Sequence, residues 1–146
     1  MDPESKAEKL LAIAAMAPYF IMCALTTMFV RCRELLVCSW IIGHLFNEAL
    51  NFALKRTFKE KRPHGAPSVG FDEHGMPSAH SQFMGFYVSF SSMQLLLRVH
   101  NTHVAYKALA IFFNIALSGA VCYGRVELGF HTRSQVAVGL CIGLKK

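Results

Sequence analysis

From Leu10 to Val30 the chain runs without a single Asp, Glu, Lys or Arg, set between Lys9 and Arg31. A helix needs roughly 20 such residues to cross a ~30 Å hydrocarbon core, and this run is long enough. Leu35 to Leu54 is a second segment of similar length, broken only by Glu48. His74 to Leu97 is charge-free throughout, and from Ser81 onward it is apolar enough to span. Ala108 to Gly124 gives a fourth, slightly shorter segment, and Ser134 to Leu144 a fifth that stops early at Lys145 and Lys146. At about 1.5 Å per residue the fifth covers about 16 Å, half a membrane. The expected fold is therefore all-α: a polytopic transmembrane bundle of about five helices with the last cut short. It forms a single domain over residues 1–146 and is expected to be incomplete at its C-terminus.

Composition agrees. Hydrophobic residues are 53% of the chain and charged residues 16%, which excludes a disordered or fibrous polypeptide. The net charge of +6 invites a nucleic-acid reading. Its cations cluster at the segment edges rather than along a helix face, so no nucleic-acid partner is expected. The flank before Leu10 mixes Glu4, Glu8, Lys6 and Lys9 and is no signal-peptide n-region, so the first segment reads as a retained helix. Five cysteines (Cys23, Cys32, Cys38, Cys122, Cys141) form no CxxC and read as small buried hydrophobes.

One link is long. Lys55 to Met76 is a polar loop with Pro63, Pro67, Gly65, Gly70 and Gly75, and loops of such length are usually functional or disordered. Helix alternation puts it on the same membrane side as the Arg125–His131 link. The positive-inside rule alone does not decide orientation, since Arg31 and Arg33 mark one side and Lys55, Arg56, Lys59, Lys61 and Arg62 the other. With that second cluster set aside as a ligand site, the side of Arg31, Arg33, Arg98 and Lys107 is expected to be cytosolic.

Three clusters fall on the shared side. The first is Lys55-x6-Arg62-Pro63, two long cations suited to a phosphate, though a basic flank anchored at lipid headgroups has the same pattern. The second is Gly75-Met76-Pro77-Ser78-Ala79-His80-Ser81. Proline at a first helical position leaves free N–H groups at the positive end of the dipole, and His80 can exchange a proton. A plain helix start with an interfacial histidine reads the same. The third is Arg125-x5-His131-x3-Gln135, where spacing on a helix would let Gln135 hold one ring nitrogen of His131 and aim the other outward. A structural histidine is the alternative. In the second segment His44, Glu48, Asn51 and Lys55 share one stripe, the pattern of a ligand channel or of a buried polar pair.

In this order, Lys-x6-Arg-Pro, Pro-Ser-x-His and Arg-x5-His together resemble the signature of the type 2 phosphatidic acid phosphatase superfamily. The string Gly-Met-Pro-Ser-Ala-His-Ser-Gln-Phe-Met (75–84), with His-Thr-Arg-Ser-Gln (131–135) and Asn-Glu-Ala-Leu-Asn (47–51), resembles its dolichyl-diphosphatase branch. That resemblance implies a six-helix membrane phosphatase needing no metal or other cofactor, which works through a phosphohistidine. Its implied substrate is a polyisoprenoid (dolichyl) diphosphate, cleaved on the lumenal face of the endoplasmic reticulum to recycle the carrier for N-glycosylation. Carried over, the resemblance makes His131 the nucleophile, Gln135 its holder and His80 the general acid and then base. Lys55, Arg62, Ser78, Arg125 and the Ala79 N–H become the phosphate clamp. Two positions depart from the family pattern: Gly124 stands where the family has serine, and Gln135 where most members have aspartate. The alternatives are phosphatidate or a sphingoid phosphate as substrate, or a catalytically silent lipid-binding relative.

Overall fold

The computed structural model describes residues 3–66 and 74–145, with side chains from residue 6 onward. Pro67 and Gly70 of the long loop, and Met1, Asp2 and Lys146, lie outside the described residues. The chain forms α1 (Pro3–Ala15), α2 (Ala17–Cys32), α3 (Leu35–Phe58), α4 (Ala79–Leu97), α5 (Val104–Glu127) and α6 (Arg133–Leu144).

The first expected helix is divided at Met16. Pro18 cannot donate a backbone hydrogen bond to the turn before it, and its ring crowds that turn's carbonyl. The chain tightens instead, with Met16 N–H bonded to the Ile13 carbonyl at 3.0 Å and Tyr19 N–H to the Met16 carbonyl at 3.0 Å. α1 packs along α5, while α2 packs on α3. Taken across the break, Lys6–Cys32 still offers 27 residues, long and apolar enough to cross a membrane, as do Leu35–Phe58 and Val104–Glu127.

α4 is long enough but not apolar enough to belong with those three. It holds Ser81, Gln82 and Ser91 in the interior and packs against α2, α3, α5 and α6, so the helix expected to be a third span is the polar axis of the bundle. Its closest neighbour is α6. Gly139 and Gly143, one GxxxG step apart, let the backbones meet, as small residues do between membrane helices. A methyl group on Gly143 would collide with the Gln82 carbonyl, and one on Gly139 would lie 2.6 Å from the Ser78 carbonyl. Gly143→Ala is expected to lower the melting temperature in detergent by at least about 5 °C, an overpacking effect. Gly119→Ala, which faces open space, is the control and should leave it unchanged.

The exterior is apolar. Leu35, Val104, Phe112 and Phe113 all lie largely exposed, whereas His44, Asn47, Asn51, Gln82 and Gln135 are buried. This inversion is the pattern expected when lipid replaces water around a bundle. It also corrects the cysteine expectation: among the five only Cys122 is buried, and Cys23, Cys32 and Cys141 are exposed on the outside of their helices. In such a bundle apolar side chains face outward as readily as inward.

The long loop starts later than expected, because α3 continues to Phe58 and Lys55 lies in its last turn. Lys59, in the left-handed region at φ 50°, closes the helix with its N–H on the Lys55 carbonyl. The loop then pinches its own neck, with Lys61 and His74 bridged antiparallel and Gly75 N–H on the Glu60 carbonyl at 2.7 Å. Pro77 is likewise not the first residue of α4. It follows a cis peptide bond, and Ser78 is the N-cap.

Candidate active site

The ends of α3 and α5 and the starts of α2, α4 and α6 meet at one end of the bundle, and all eight residues singled out from the sequence lie there. Lys55 and Arg125 come from the last turns of α3 and α5, each 7% exposed. Arg62 reaches in from the loop, Ser78 caps α4, and Ala79 and His80 form its first turn. His131 and Gln135 come from the α5–α6 link and the first turn of α6, both buried.

His131 and Gln135 do meet, but not as neighbours on one helix face. His131 precedes the N-cap Thr132, and Gln135 folds back as the third residue of a capping box. Its Oε1 accepts from Thr132 N–H at 3.2 Å and lies 3.1 Å from His131 Nδ1. Its Nε2 donates to Glu60 Oε1 at 2.9 Å and to the Lys61 carbonyl at 3.0 Å. With two acceptors on one side of the amide, the oxygen must face His131. Nδ1 therefore carries the hydrogen, and Nε2 keeps its lone pair. Gly75 lies flat on this amide, where any Cβ would stand 2.7 Å from Oε1.

The cations converge on both histidines. Lys55, Arg62 and Arg125 all act electrostatically on His80 and on His131. Arg125 lays its guanidinium over the Phe130 ring at 4.1 Å, and its Nε is buried with no hydrogen-bond partner among the described residues. Nε and Nη1 of Arg62 are buried in the same state. Buried guanidinium donors with nothing to bind suit an anion with several oxygens.

Burial first, then Arg125, lowers the pKa of His131 to about 4, against a weaker upward pull from Gln135. The ring is thus neutral at pH 7, as a nucleophile must be. The unfolded chain takes up this proton near pH 6.5 and the folded one only near 4, so stability falls as pH drops through that window. Melting temperature should drop more steeply between pH 7.5 and 5 in wild type than in His131→Asn, which has no ring to protonate.

The stripe expected on α3 is only partly realised. His44, Asn51 and Lys55 are buried, but Asn47 takes the inward place next to Glu48, and Glu48 is exposed. Asn51 donates to Gln82 Oε1 at 2.8 Å and to the Pro77 carbonyl at 3.3 Å, while Gln82 donates to Asn47 Oδ1 at 3.0 Å. This network clamps the α4 start to α3. Beside it a cavity of about 230 Å³ runs from His80 down to His44 and Phe83, walled by Tyr19, Met22 and Glu48. Tyr19 meets the His80 ring edge-on at 5.7 Å. Gly124 faces α1: a Cβ there would meet the Leu11 carbonyl at 3.3 Å.

Sequence reasoning missed Glu60, Tyr19, the close approach of Gly75 to the Gln135 amide and the Asn47–Gln82 pair. The capping box was there to be read, as Thr132-x-x-Gln135. Glu60 and Tyr19 carried no sequence signal, because their partners are distant along the chain.

The PAP2 superfamily model matches residues 35–144, three quarters of the chain and every element of the site except α2. The chain belongs to the PAP2 superfamily. Among curated relatives of this PAP2 protein, Dolichyldiphosphatase 1 of Homo sapiens is 36% identical over 137 residues, covering 89% of this chain and 58% of that protein. Dolichyldiphosphatase of Saccharomyces cerevisiae is 32% identical over 137 residues, covering 90% and 57%. The chain thus spans about 58% of the length of the curated relatives it matches. The crystal structure of a transmembrane PAP2 type phosphatidylglycerolphosphate phosphatase from Bacillus subtilis superposes with a TM-score of 0.79. It is 19% identical and aligns over 99% of this chain and 73% of its own. That likeness shows the PAP2 fold, and with the apolar helices it makes this an integral membrane protein.

Proposed function

We propose that this PAP2 protein is a lipid-diphosphate phosphatase that converts dolichyl diphosphate to dolichyl phosphate and inorganic phosphate. The observation that carries the reading is His131, neutral, with Nδ1–H held by Gln135, in the field of buried Lys55 and Arg125 and half-buried Arg62. The resemblance to dolichyldiphosphatases supports the substrate.

In the first step the His131 Nε2 lone pair forms the N–P bond to the terminal phosphorus. The bond from that phosphorus to the bridging oxygen breaks. His80, whose pKa burial and then Arg125 push down in the free protein, takes up a proton along with the anionic substrate, whose negative charge offsets the cations, and gives that proton to the departing dolichyl phosphate. In the second, water forms the new O–P bond, the N–P bond breaks, and His80 takes the water's proton. Lys55, Arg62 and Arg125, with the Ser78 hydroxyl and the Ala79 N–H, hold the non-bridging oxygens as charge redistributes. Three cations supply the charge stabilisation that a metal ion gives in other phosphatases. The cavity below His80 lies on the leaving-group side, open to an apolar chain.

The site faces the lumen of the endoplasmic reticulum in this reading, where the reaction recycles the carrier lipid for N-glycosylation. With the basic cluster of residues 55–62 set aside as part of a phosphate site, Arg31, Arg33 and Arg98 at the ends of α2 and α4 support this orientation, as cytosolic cations would. Phosphate release from dolichyl diphosphate, beside phosphatidate and a sphingoid phosphate, tests the substrate. A marked preference for dolichyl diphosphate is expected, and equal or greater release from phosphatidate would replace this substrate with a glycerolipid.

A further inference from the structure

We infer that Glu60 is a positioning residue for His131, acting through the Gln135 amide. The inference rests on the phosphohistidine reading and gives a role to a carboxylate at one of the unassigned positions of Lys55-x6-Arg62-Pro63.

At this end of the bundle a neutral amide is the group directly on the nucleophile's Nδ1–H. A carboxylate there would hold the ring and also stabilise the positive charge the imidazole gains on phosphorylation. An amide alone does the first and does little of the second. Glu60 supplies what is missing one group further out. Its Oε1 accepts from Gln135 Nε2 at 2.9 Å, and Gln135 Oε1 stands 3.1 Å from His131 Nδ1. Carboxylate, amide and imidazole form an unbroken chain. The negative end draws density through the amide and makes Oε1 a stronger acceptor for the ring hydrogen.

The chain is built to hold one geometry. The Glu60 carbonyl is pinned by Gly75 N–H at 2.7 Å, at the pinched neck of the loop. Gly75 in turn leaves the room the Gln135 amide occupies, since a Cβ there would stand 2.7 Å from its Oε1 and 2.8 Å from its Nε2. An amide turned over would put its oxygen against the Glu60 carboxylate and the Lys61 carbonyl, and its NH2 group against Thr132 N–H and His131. Glu60 thus fixes the tautomer of His131 without touching the ring or the substrate.

The test is a double-mutant cycle read by phosphate release from dolichyl diphosphate, with 15N spectra of histidine-labelled protein beside it. Glu60→Ala is expected to lower kcat about tenfold, the usual size for loss of a charged outer partner, with KM within twofold and melting temperature unchanged. Glu60→Gln keeps an acceptor oxygen without the charge and should fall between. In a Gln135→Ala background, where the link is already cut, Glu60→Ala should cost nothing further. The spectra should show His131 (assigned by its loss in His131→Ala) as a single Nδ1–H tautomer in wild type and as a mixture in Glu60→Ala. A Glu60→Ala effect of the same size in both backgrounds, an effect on KM alone, or an unchanged tautomer would each overturn the inference. The spectra read the positioning even if no phosphate is released. Activity lost in His131→Ala but untouched in Glu60→Ala removes this inference and leaves the phosphatase reading standing.

Discussion

His131→Ala is expected to lower phosphate release by about 10⁴-fold or more, the size of effect seen when a covalent nucleophile is deleted. The loss should be in kcat, because His131 contributes its lone pair only as the N–P bond forms. The substitution should leave the fold intact. Gln135 keeps its bonds to Thr132, Glu60 and the Lys61 carbonyl when the imidazole is gone. A brief reaction with substrate labelled in the terminal phosphate, quenched at high pH where phosphohistidine survives, should label wild type and not His131→Ala. His80→Ala should still label, slowly, and then retain the label, since the base for the second step is missing. Label on any residue in His131→Ala, or activity within tenfold of wild type, would contradict the assignment of the nucleophile.

Arg125→Ala should be the next largest effect, about 10²- to 10³-fold in kcat/KM, as for a preorganised donor that meets developing charge in a dry site. Arg125→Lys should recover less than about tenfold of that loss. The reason is geometric: Arg125 sets its guanidinium over the Phe130 ring at 4.1 Å with its Nε buried, and a lysine ammonium offers no planar fork and no such Nε donor. Full recovery by lysine would mean that the site needs only a positive charge, not a shaped donor. Melting curves separate a catalytic loss from misfolding, since Arg125 is buried and its removal leaves a gap beside Phe130.

The sequence made the bundle legible because hydrophobic length is a strong physical constraint. A charge-free run long enough to span a bilayer has few places to go, and Leu10 to Val30 lies within the first apolar passage, Lys6–Cys32. Pro18 was visible in that run, but whether a proline kinks or divides a helix depends on what packs beside it. Here α1 leaves α2 to lie along α5. α4 was less legible. Its Ser81, Gln82 and Ser91 weaken its apolar signal, and only the packing shows that they face Asn47, Asn51, Ser78 and Asn114 rather than lipid.

The site residues could be found because three short clusters recur in a fixed order. The geometry that joins His131 to Gln135 was read differently, since a four-residue spacing suggested a shared helix face, whereas His131 precedes the N-cap and the contact is made through the capping box at the start of α6. The departure at position 124 has a similar lesson. Glycine stands there where the family has serine, and in the fold the position packs against Leu11 of α1. The departure at 135 is answered by Glu60, far away along the chain, which only the folded loop brings into contact.

The measurement that bears most directly on the central claim is inorganic phosphate release from dolichyl diphosphate by the purified protein in detergent with EDTA present. Catalysis by two histidines and three cations predicts release that EDTA does not diminish and that both His131→Ala and His80→Ala suppress. Release that vanishes with EDTA and returns with added divalent metal would contradict the account. So would a monodisperse, folded wild type that frees no phosphate from any lipid phosphate offered.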